Sequence, residues 1–106
     1  MVSKEIKRIV NDYLSVLGSS GIKVIKAILF GSYATGNNHP DSDIDLAIVS
    51  ADFGKDRYEE GKLLLKLAWR VDPRIQPIPF SLDTIEASNW IPLIHEIKKN
   101  GVEVTA

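Results

Sequence analysis

The chain has 106 residues, 44% hydrophobic and 25% charged, a balance that predicts one folded domain and excludes a disordered tail. Thirteen basic residues against fourteen acidic give a net charge of -1, which argues against a general nucleic-acid or polybasic membrane binder but not against a local site. With no cysteine there is no disulfide, redox pair or thiolate metal site, and no apolar run approaches the ~20 residues of a membrane span.

The opening MVSKEIKRIV carries charge through its apolar pattern and does not read as a signal peptide. The expectation is a soluble, cytoplasmic protein with one domain over 1–106. Ser3 is placed to cap a helix in which Ile6, Ile9, Val10, Tyr13, Leu14 and Leu17 recur at helical spacing. Gly18 falls where a left-handed cap would close it. Ile22 to Phe30 is rich in β-branched residues and reads as a strand, and Gly31 to Ser42 is a turn-forming stretch. Ile44 to Val49 is a second strand, apolar enough to be buried on both faces.

Asp56 to Val71 reads as an amphipathic helix carrying Tyr58, Leu64, Leu65, Ala68 and Val71. Arg74 to Phe80 is a third strand, and Pro77 and Pro79 place it at a sheet edge or make it irregular. Trp90 to Lys99 is a last helix with Pro92 in its first turn, and Val102 to Val104 alternates like a short closing strand. The order α-β-β-α-β-α-β predicts an α/β or α+β fold, a small mixed sheet covered by helices.

Chemistry concentrates in Gly31-Ser32-Tyr33-Ala34-Thr35-Gly36 and Asp41-Ser42-Asp43-Ile44-Asp45-Leu46. Residues two apart in a strand share a face, so Asp43 and Asp45 project together while Ile44 and Leu46 enter the core. Two crowded carboxylates repel, and a divalent cation such as Mg²⁺ relieves the conflict by ligating both. A Gly-Ser at a strand end lets backbone amides approach a ligand. A helical turn starting at Ser32 would offer amides and a hydroxyl to phosphate. Phosphate cradle and metal pair together make a nucleotide-polyphosphate site.

Each part alone has a plainer reading. Gly-Ser is a common turn, and the aspartates could serve as turn and cap residues. Asp41, Asp43, Asp45 and Asp52 mimic a calcium loop, but Leu46 stands where that loop needs glycine. His39 reads as a solvated loop residue, His95 as surface or core edge, and Lys62, Lys66 and Arg70 as a solvated stripe. Trp69 and Trp90 read as core or interface anchors. For Tyr33, packing and a place in the nucleotide pocket stand level.

The joint pattern resembles the nucleotidyltransferase superfamily typified by DNA polymerase beta, on Ile28-Leu29-Phe30-Gly31-Ser32 and Ser42-Asp43-Ile44-Asp45-Leu46. The specific likeness is to the minimal nucleotidyltransferases, MntA-like antitoxins of HEPN/MNT pairs among them. The resemblance implies that Gly31 and Ser32 bind the triphosphate of ATP or another nucleotide. It implies that Asp43 and Asp45 are catalytic and bind Mg²⁺, with transfer of a nucleoside monophosphate and release of pyrophosphate. The family adds a third acid on the strand after the second helix, and the residue aligned to it here is Gln76. An amide cannot act as a base. Asp72 and Asp83 lie nearby but outside the predicted strand.

Two main functions follow. In one, the chain is an enzyme that moves AMP from ATP to a hydroxyl on a partner, plausibly a small helical HEPN-type toxin. In the other, it is a catalytically impaired module that neutralises its partner by contact. A nucleotide sensor is a third reading of the same pocket.

Overall fold

A computed structural model describes residues 2–39, 41–87 and 91–104. The first helix, α1 (Lys4–Ser19), begins where the Ser3 side chain accepts the Ile6 amide at 3.2 Å. All six apolar residues of its predicted face are buried. Its end differs from expectation. Gly18 stays helical, and Gly21 takes the left-handed conformation at φ 85°. The Ile22 amide bonds to the Leu17 carbonyl at 3.0 Å and the Gly21 amide to the Gly18 carbonyl at 3.1 Å. That paired closure sets an apolar residue just past the glycine, and only Gly21 is followed by one.

After β1 (Val24–Phe30) come a single helical turn, α2 (Ser32–Thr35), and β2 (Ile44–Ser50). Next are α3 (Arg57–Ala68), β3 (Ile75–Phe80), α4 (Leu82–Ala87), α5 (Pro92–Asn100) and β4 (Val102–Val104). The strands form one mixed sheet in the order β3-β2-β1-β4. Neighbours pair antiparallel except β2 and β3, which run parallel. The predicted fold class is the observed one.

Alternation sorts the side chains of β2 to two faces. Ile44, Leu46 and Ile48 join Ala27, Leu29 and Ile75 in a core with α1 and α3. Ala47 and Val49 join Phe30 and Phe80 in a second cluster with α4 and α5. Burial on both faces explains the unbroken apolar run. Tyr13 secures α1 to α3 by donating its hydroxyl to the Leu64 carbonyl at 2.8 Å, and burial pushes its pKa above the usual phenol value.

The third strand lies at a sheet edge, as its prolines require. The Ile44 amide bonds to the Arg74 carbonyl at 2.7 Å, so even-numbered residues of β3 face β2 and Pro77 and Pro79 face outward. No ladder bond is lost to either ring.

The remaining departures have local causes. α3 starts where the Asp56 carboxylate caps the Glu59 amide and stops before Val71. Its buried residues are Leu64, Leu67 and Ala68, while Tyr58 and Trp69 are 74% and 67% exposed. Tyr58 is thus not on the buried face that the pattern predicts, and of the two readings of Trp69 the core one is excluded. α2 is the helical turn considered at Ser32, whereas α4 has no counterpart among the predicted elements. Each is too short to show a full amphipathic period, and Ile85 is the buried residue of α4. The last helix begins at Pro92; Trp90 lies outside the described residues. Among the described residues, no helix is long and apolar enough to cross a membrane.

The two glycines at the end of α1 make a sharp contrast. A Cβ at Gly18 meets nothing within 4 Å and the backbone is helical, so Gly18→Ala should stabilise by about 0.5–1 kcal/mol. Gly21→Ala forces alanine to a positive φ and should cost about 1–2 kcal/mol. Thermal melts of the two variants should therefore shift in opposite directions.

Candidate active site

Gly31 joins β1 to α2 with φ 75° and ψ −151°, a conformation that glycine adopts freely. A Cβ on Gly31 would run into the Asp45 carboxylate. Glycine is thus required twice, by its dihedrals and by the group packed against it. The turn that follows closes on the Gly31 carbonyl, with the Ala34 and Thr35 amides at 3.1 and 3.2 Å. The Ser32 and Tyr33 amides stay outside the turn's own hydrogen bonding. Gly36, at φ 84°, closes α2 and turns the chain toward the carboxylates.

Asp43 and Asp45 straddle the first residue of β2. Asp45 shares the face of Ala47 and Val49, at the end of the sheet where that apolar cluster stops. The register sets Phe30 opposite Asp45. Asp45 is half-buried and Asp43 exposed. Burial, and then the Asp43 charge, hold the Asp45 carboxyl above the usual carboxylate range. The pair carries the electrostatic strain that its spacing predicts.

Gln76 pairs directly with Asp45 in the parallel β2–β3 register. Partners in register point to one face, so Gln76 stands beside the carboxylate pair. The nearby acids do not take its place. Asp72 holds the Arg74 guanidinium, with Nε at 3.1 Å from Oδ1 and Nη2 at 2.9 Å from Oδ2, and this pairing pulls its pKa down. Asp83 is in the first turn of α4. Among the described residues, no group of three or more His, Cys, Asp or Glu is placed to hold a metal. The structure therefore assembles Gly31, Ser32, Asp43, Asp45 and Gln76 at one end of the sheet.

The secondary candidates fall out separately. His39 and His95 are both exposed. Lys62, Lys66 and Arg70 are exposed too, with the Lys62 ammonium 5.7 Å from the Tyr58 ring centroid. Tyr33 is 8% exposed, its ring in the core and its hydroxyl donating to the His39 carbonyl at 3.3 Å. Sequence reasoning missed Arg74, whose guanidinium donates to that hydroxyl at 3.3 Å. The available signal was Asp72-Pro73-Arg74, a turn with opposite charges two residues apart just ahead of a strand.

Residues 4–106 match the family described as "Polymerase beta, Nucleotidyltransferase". The chain belongs to that family. It is 30% identical over 99 residues to "Putative protein adenylyltransferase MJ1305" of Methanocaldococcus jannaschii, spanning 89% of this chain and 67% of that protein. It is 33% identical over 84 residues to "Putative protein adenylyltransferase MJ0141" of the same organism, spanning 77% and 80%. Among solved structures, a crystal structure of a toxin-antitoxin with AMP-PNP superposes with a TM-score of 0.62 at 26% identity, covering 91% of this chain and 72% of that one. Nucleotidyltransferases of this family generally use divalent metals.

The paired Asp72 and Arg74 give this nucleotidyltransferase a stability term with a definite pH sign. A carboxyl whose folded pKa is lowered contributes stability above its unfolded value, about 3.9, and loses it as pH falls through the folded value. Asp72→Asn should lower the melting temperature at neutral pH, and its gap to the wild type should narrow on acidification toward pH 2–3. Coincident melting curves across that window would show that the pair contributes nothing.

Proposed function

We propose that the chain transfers a nucleoside monophosphate, AMP from ATP, to a hydroxyl on a partner protein, as the antitoxin of a small helical HEPN-class toxin. The observation that carries the chemistry is the meeting of the Gly31-Ser32 turn with Asp43 and Asp45 at one end of the sheet. The adenylyltransferase relatives and the AMP-PNP in the toxin-antitoxin neighbour support adenylate as the group transferred. That neighbour also supports a toxin as the partner.

The donor set fits a magnesium ion. Two carboxylates flank the first residue of β2, and burial with the Asp43 charge raises the pKa of half-buried Asp45, an effect that a cation would reverse. Asp43 and Asp45 would hold Mg²⁺, with phosphate oxygens completing its shell, and it would offset the charge gathered at the α-phosphate.

The turn amides and the Ser32 hydroxyl suit the triphosphate oxygens. The acceptor oxygen then bonds to the α-phosphorus as the bridge to the β-phosphate breaks, pyrophosphate leaves with the bonding pair, and the hydroxyl proton passes to solvent water. Gln76, beside Asp45, can orient the acceptor hydroxyl through its amide oxygen but cannot take its proton. A missing general base costs about 10²–10⁴-fold in rate. That single position favours the second reading, a module that binds its partner without efficient transfer.

Calorimetry with ATP, with and without Mg²⁺, tests the site. Metal-dependent binding should appear in the wild type and vanish in Asp43→Asn and Asp45→Asn. Melting temperatures should hold or rise, because each variant relieves the repulsion at Asp45. Binding retained in both variants would remove the metal assignment.

Gln76→Glu separates enzyme from contact module. Protein labelling from α-phosphate-labelled ATP should rise by about 10²–10⁴-fold if only the base is missing. A wild type that already labels efficiently would discard the contact-only reading and the role given to position 76.

A further inference from the structure

Arg74 takes no part in the transfer chemistry above, yet it touches the segments that carry it. Its guanidinium grips Asp72 by two hydrogen bonds and comes within 3.7 Å of Glu5 on α1. Its backbone carbonyl accepts the amide of Ile44, the residue between Asp43 and Asp45. Two residues further along β3 is Gln76.

The remaining arm, Nη1, donates to the Tyr33 hydroxyl, and that hydroxyl donates its one proton to the His39 carbonyl. The two-point grip of Asp72 fixes the plane of the guanidinium, so Nη1 has a set direction. Burial fixes the Tyr33 ring, so its hydroxyl cannot follow a moving partner. Tyr33 adjoins Ser32 in α2, and His39 lies on the segment that enters β2 at Asp43. The guanidinium therefore donates both ways, to the Asp72 carboxylate on one side and to the Tyr33 hydroxyl on the other, and that hydroxyl donates in turn to the His39 carbonyl.

We infer that Arg74 and Tyr33 are positioning residues, which together fix the spacing of the Gly31-Ser32 turn from the carboxylate pair and from the strand bearing Gln76. The consequence for ligand affinity rests on the nucleotide site proposed above; the mechanical linkage does not.

Tyr33→Phe removes one oxygen while leaving the ring in the core and the Asp72–Arg74 pair in place. Its dissociation constant for MgATP should rise about 3- to 10-fold, the usual worth of hydrogen bonds of this kind. Amide exchange at Asn37, Asn38, His39, Asp41 and Ser42 should quicken, with the melting temperature lowered by about 3–8 °C and folding retained. Arg74→Lys keeps the charge but cannot span Asp72 and Tyr33 together, so it should move both readouts the same way and further. Wild-type affinity and wild-type exchange in both variants would overturn the inference. So would a lowered melting temperature with both readouts unchanged, because the bonds would then be structural only. A wild type that binds no MgATP would defeat the proposed function instead. The exchange readout would still decide the linkage, faster exchange in both variants supporting it and unchanged exchange overturning it.

Discussion

The carboxylate of Asp45 occupies the space where any other residue at position 31 would carry its Cβ. The ladder pairs Phe30 with Asp45, and glycine at 31 is what lets the turn after β1 fit against that carboxylate. It brings the first turn of α2 against a charged group that the sheet would otherwise hold at a side chain's length. The positive φ at Gly31 makes the sharp swing from β1 into α2. Close packing and turn geometry make a single demand, and one glycine meets it.

Around this contact the sheet divides its labour by parity. Odd and even residues of β2 feed separate apolar clusters, so the strand is stabilised from both sides for most of its length. Asp45 sits where one of those clusters runs out. It pays for that place in lost hydration, which together with the Asp43 charge raises its pKa. Structural support and chemical tension come from the same location. An aspartate placed further along β2 would be too deep to reach a ligand.

Much of this architecture was legible from residue order. The Ser3 cap, the six-residue apolar face of α1, the two-sided burial of β2 and the edge position of β3 each follow from a local rule. The pattern also expects Asp43 and Asp45 to share a strand face; Asp43 lies just ahead of β2, close enough for its charge to raise the Asp45 pKa. What escaped the sequence depends on contacts between distant segments. Gly18 and Gly21 compete as helix caps, and the choice turns on where Ile22 packs. Tyr58 looks like a core residue and Trp69 like a core or interface anchor by type, but α3 turns its Leu64 and Leu67 inward. Arg74 joins residues from α1, α2 and β2, and no spacing in one stretch of chain announces such a junction. The position of Gln76 was readable only to within a residue or two, and the parallel register places it beside Asp45.

The outward row of β3 has a consequence for how another molecule can come near. A sheet edge normally offers alternating donors and acceptors to an arriving segment, but Pro77 and Pro79 remove two successive donors from this one. A peptide laid alongside would find carbonyls without the matching N–H groups, so strand addition is closed at the border nearest Gln76. Whatever approaches there must be recognised through its side chains and surface shape, not by main-chain zipping. The same rings keep two copies of the chain from merging their sheets at that border.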